Sequence, residues 1–83
     1  MIDKNSEEFF YFMQLVFGVD DNDASSIDNA FFNLDDLGVP YTIQNDVFNW
    51  AETYGAGMFD VSRVERDLER LLSSYGSNIY NRR

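Results

Sequence analysis

Fifteen carboxylate side chains stand beside six Lys or Arg and no histidine in this 83-residue chain, so the residues best able to do chemistry are its acids. Paired carboxylates do acid and base work when burial separates their pKa values. Here they are abundant, mostly aspartate, and placed at helix starts or on polar stretches. A Ser–His–Asp nucleophile system cannot be assembled without histidine, and with no cysteine there is no thiolate nucleophile. The same two absences remove the usual zinc ligands. Asp21, Asp23 and Ser25 alternate like the start of a calcium loop, but Ser26 falls where that loop needs glycine and Phe32 where it needs its final glutamate. The glycines at 55 and 57 lack the lysine and full pattern of a phosphate-cradling loop. The expectation is a noncatalytic protein without a metal or cofactor.

What the acids can do is attract. The formal net charge is −9, which opposes direct nucleic-acid binding, since a phosphate backbone needs a cationic counterpart. A basic protein surface is the natural partner. The distribution is uneven: residues 1–40 hold nine acids and one lysine, whereas residues 61–83 hold three acids and five arginines. Asp20, Asp21, Asp23, Asp28, Asp35 and Asp36 are the candidate partner-binding carboxylates. The arginine-bearing C-terminal helix is expected to complement them, either within the molecule or between subunits.

In charge and size the chain resembles inhibitors of nucleic-acid-binding enzymes, including phage counter-defence proteins, in which carboxylates take the place of phosphates. No diagnostic motif accompanies that resemblance. The alternative is a structural or assembly subunit whose acidic face is simply solvated.

Aromatic residues make up 17% of the chain, and rings that each bury roughly 150–250 Å² argue for an ordered core. From Phe9 to Phe17 only Gln14 interrupts an apolar run, so the first helix is apolar around most of its circumference. Such a helix is central to its fold or lies against a second chain. Phe10, Tyr11 and Phe17 are the candidate homodimer interface. Phe9, Phe10, Phe12, Phe31, Phe32, Phe48 and Trp50 read as core, so Phe10 carries both readings.

The elements that position these groups read as a mainly α domain, a compact bundle of three or four short helices with room for a two-stranded β addition. The expected helices cover residues 6–17, capped by Asn5 or Ser6 and stopped by Gly18; 25–37, capped by Ser25 or Ser26 with a weak Ser25 to Asp28 capping box and stopped by Gly38; 46–54, capped by Asp46; and 62–74, with a Ser62 to Glu65 capping box. Residues 20–24 between the first two helices read as a polar loop. Tyr41, Thr42 and Ile43 have strand-forming side chains and read as an edge strand paired near 58–61. Val61, Val64, Leu68, Leu71, Leu72 and Tyr75 form the apolar side of the last helix, with Arg63–Asp67 and Arg66–Glu69 spaced for ion pairs on the other. Gly76 reads as its stop. Residues 1–76 read as one domain and 77–83 as a tail. No run approaches the ~20 apolar residues that cross a bilayer, and the acidic start lacks a secretory signal, so the expected setting is cytoplasmic.

Overall fold

The computed structural model describes residues 4–54 and 60–75, and these form four helices with no strand: α1 (Glu7–Asp21), α2 (Ala24–Asp36), α3 (Tyr41–Thr53) and α4 (Val61–Ser73). The expected turn at Gly55 and Gly57, the residues near 58, the stop at Gly76 and the tail at 77–83 lie outside the described residues.

Helix α1 starts where Ser6 accepts a hydrogen bond from the Phe9 amide at 3.2 Å, with Glu7 and Glu8 favourable beside the positive end of the helix. It does not stop at Gly18. The helix runs one turn further, and the residue that leaves it is Asn22, whose left-handed backbone (φ 55°) an asparagine tolerates better than most residues. The stretch at 20–24 is therefore a tight corner: Asp20 and Asp21 are the last residues of α1, and the Asp23 amide donates to the Gly18 carbonyl at 2.8 Å.

Asp23, rather than Ser25 or Ser26, caps α2. Its carboxylate accepts from the Ser26 amide at 3.3 Å and the Ser26 hydroxyl at 2.9 Å, a stronger charge-assisted arrangement than a serine offers. At the other end Gly38 adopts φ +88°, which lets the Val39 amide reach back to the Leu34 carbonyl at 3.1 Å.

The expected strand at 41–43 is the first turn of α3. Pro40 lacks an amide, but the first amides of a helix have no intrahelical acceptor, so nothing is lost there. Its carbonyl accepts from Ile43 at 3.0 Å and Gln44 at 3.2 Å, which starts the helix five residues before Asp46. Gln44 is buried, and its side-chain amide donates to the Val39 carbonyl at 2.8 Å, tying the α2–α3 connection to the core. Helix α4 is likewise capped early, two residues before Ser62, by Asp60 accepting from the Arg63 amide at 3.2 Å, and Val61 is exposed rather than part of the apolar side.

The core is assembled from Phe9, Phe12, Leu15 and Val16 of α1, Ala30 and Leu34 of α2, Ile43, Val47 and Ala51 of α3, and Val64, Leu68 and Leu72 of α4, with Val39 from the α2–α3 connection. Helix α1 packs most closely on α2 and also on α3, which makes it the central element.

Candidate interaction surfaces

The six candidate carboxylates are all exposed, but the fold divides them. Asp20, Asp21 and Asp23 gather at the α1–α2 corner. Asp28, Asp35 and Asp36 lie along α2. Asp23 is committed to its cap: the Ser26 hydroxyl and amide hold its carboxyl below the ordinary aspartate range. Removing its charge therefore perturbs α2 as well as any contact made by the corner.

Phe32 changes the character of the α2 group. Expected in the core, it is 72% exposed. It sits four residues after Asp28, three before Asp35 and four before Asp36, and residues so spaced on a helix have Cβ atoms about 5–6 Å apart. The solvent face of α2 is thus one phenyl ring among three carboxylates. Beside it, Phe31 is half-buried and packs with Phe48 and Tyr41 at centroid distances of 5.8 and 6.1 Å, Tyr41 being exposed.

On α1 the three candidate aromatics also separate. Phe10, also expected in the core, is instead 63% exposed and meets Tyr11 edge-on at 5.1 Å. Tyr11 and Phe17 are half-buried against the core. Phe10, Met13 and Phe17 recur at i, i+3 and i+7 and therefore share the side of α1 turned away from Phe12 and Leu15. Gln14 beside them accepts from the Asn29 side chain at 3.1 Å, which joins this side to α2.

A third feature escapes sequence reasoning. Trp50 and Tyr54 of the α3 end pack at 4.8 Å and, with Asp67, Arg70 and Leu71 of α4, line an open groove of about 370 Å³. The Trp50 to Tyr54 spacing is visible in the sequence; their approach to α4 is a tertiary event. The Tyr54 hydroxyl donates to Asp67 at 2.6 Å, and farther along the same seam the Tyr75 hydroxyl donates to Asp46 at 2.9 Å. Partial burial, then the carboxylate beside each hydroxyl, raises both phenols, and Tyr75 is pushed up to about 12.

That shift has a sign. A phenol whose pKa is raised in the fold stabilises the fold in full below its unfolded value near 10, and loses that contribution as the pH rises through about 12. The urea midpoint of the unaltered chain is expected to fall more steeply than that of Tyr75→Phe across this alkaline window. Parallel curves would mean that the hydroxyl does not hold α4 to α3.

Among the described residues no group of three or more His, Cys, Asp or Glu is arranged to hold a metal ion, and no helix is long and apolar enough to cross a membrane. Comparisons with family models, with curated proteins and with solved structures return no match, so the functional reading of this chain stands on its own surfaces.

Proposed function

We propose that this chain is a small noncatalytic assembly module that associates with copies of itself through aromatic helix surfaces, the outer side of α1 foremost. The observation that carries the reading is Phe10, a large apolar ring left 63% exposed on the central helix and continued along one side by Met13 and Phe17. Most small symmetric assemblies are two-fold. An antiparallel two-fold pairing centred between Met13 and Gln14 sets Phe10 of each copy beside Phe17 of the other, since the two rings are seven residues, or about 10.5 Å of helix, apart.

Sedimentation equilibrium tests this directly. At high salt, where charge contacts are screened, the unaltered chain is expected to dimerise at submillimolar concentration and Phe10→Asp to stay monomeric. Two rings leave the contact per dimer, each worth roughly 1.5–3 kcal/mol when fully buried, so dissociation should rise by about a hundredfold or more. A monomeric unaltered chain across that range, at low and high salt alike, rejects the reading.

The exposure of Phe32 among Asp28, Asp35 and Asp36 favours a second reading: an acidic binding face for a basic protein, such as a nucleic-acid-binding enzyme that the carboxylates engage as phosphate substitutes. Asp28 and Asp35 stand about 10.5 Å apart along the helix, near three phosphate steps of about 3.4 Å along one strand of B-DNA. The informative variant for this reading replaces Asp28, Asp35 and Asp36 by asparagine and leaves Asp23 in place for its cap.

A further inference from the structure

The positive charge of the described residues is concentrated on one helix face. Apart from Lys4, their cations are Arg63, Arg66 and Arg70, which are exposed and occupy i, i+3 and i+7 on α4. They form a row about 10.5 Å long. Among the described residues the one ion pair is Arg63–Asp67 at 4.0 Å, inside α4 itself. Among the described residues none of Asp28, Asp35 and Asp36 forms an ion pair with an arginine of α4.

Helix α2 presents the matching row. Asp28 and Asp35 stand seven residues apart, as Arg63 and Arg70 do, with Phe32 between them and Asp36 alongside. We propose that the α2 face of one copy docks on the α4 face of a second copy. Asp28 and Asp35 meet the terminal arginines of the row, and the Phe32 ring lies on the stem and guanidinium of Arg66. An α2 face repels another α2 face and an α4 face repels another α4 face, so the contact joins unlike surfaces, α2 of one copy with α4 of another. It is a different contact from the α1 pairing, and it extends a dimer into a larger assembly.

The charge argument also sets the conditions. Copies carrying −9 repel each other at long range, but at about 0.1 M salt interactions beyond about 10 Å are largely screened while close pairs persist. The contact should therefore appear at moderate ionic strength and fade at high salt.

The test is a complementary charge exchange followed by sedimentation velocity, carried out in a Phe10→Asp background so that loss of the α1 pairing and loss of this contact are read separately. The Phe10→Asp chain is expected to keep a weak, salt-sensitive association. Asp28→Arg with Asp35→Arg, and separately Arg63→Glu with Arg70→Glu, should each weaken it about tenfold or more. Mixing the two reversed chains should restore it, because each then offers the other a complementary pair of faces. Circular dichroism monitors the fold, and the milder Asp35→Asn and Arg70→Gln variants serve if a double reversal does not fold. A Phe10→Asp chain that is monomeric at every ionic strength overturns the proposal, as does a mixture that stays monomeric. In either case the α2 face is left for a basic protein of another sequence.

Discussion

Phe12→Ala is expected to lower the unfolding free energy by about 3–5 kcal/mol, the usual cost of removing a fully buried ring and leaving a cavity. Phe12 is completely inaccessible on the helix against which α2 and α3 pack, so no single element can relax into the space. A chain of this size has a total stability of roughly 4–12 kcal/mol, so the loss is about a quarter of it or more. Phe10→Ala is the control, two residues away on the same helix but mostly exposed, with an expected change within about 0.5 kcal/mol in the dilute monomer. Urea unfolding followed by circular dichroism separates the two. Similar losses at both positions would mean that the inner and outer sides of α1 are misassigned, and the assembly reading would fall with them.

That pair of phenylalanines also shows where the sequence is legible. From Phe9 to Phe17 the apolar run is too dense for periodicity to orient the helix, and only the positions of α2 and α3 decide which rings are enclosed. Helix α4 is the opposite case. Its polar and apolar halves are cleanly divided, and Val64, Leu68 and Leu72 are buried as their spacing predicts. Phe32 was readable in principle, because it falls one residue off the stripe of Ile27, Ala30, Phe31 and Leu34. Aromatic identity outweighed its angular position.

The helix starts were harder for a local reason. Asp23, Ser25 and Ser26 are all competent caps, and the choice among them is made by the corner that Asn22 turns, not by intrinsic preference. At Tyr41–Ile43 the β preference of the side chains was real but weak, and Pro40 placed ahead of them started a helix. The α3–α4 groove and the ion-pair economy of α4 depend on elements far apart in sequence, and no local pattern announces them.

Gly18 is the position where the sequence signal and the structural role differ most, and its replacement by valine is expected to cost about 1–3 kcal/mol or more, the range for overfilling a packed interface. Glycine inside a helix loses roughly 0.8–1.0 kcal/mol relative to alanine, so propensity alone predicts stabilisation on substitution. The fold opposes it. A Cβ at position 18 would stand 3.1 Å from Ile27 Cγ1, 3.3 Å from the Ile27 amide nitrogen and 3.3 Å from Ser26 Cβ. The isoleucine methylene can turn aside, but the backbone nitrogen yields only if the first turn of α2 moves. Gly18→Ala is therefore expected to come out near neutral, the propensity gain offset by a few tenths of an ångström of displacement. Valine adds two γ carbons to the same notch and must push α2 away from α1, which strains the bonds that Asp23 makes to Ser26. The check is a urea midpoint for both variants together with hydrogen exchange at Ser26 and Ile27. Lower stability with faster exchange in Gly18→Val alone would establish the glycine as the notch that lets α1 and α2 meet. Stabilisation by both substitutions would show a corner loose enough to admit side chains, and Gly18 would then be only a poor helix former that the chain tolerates.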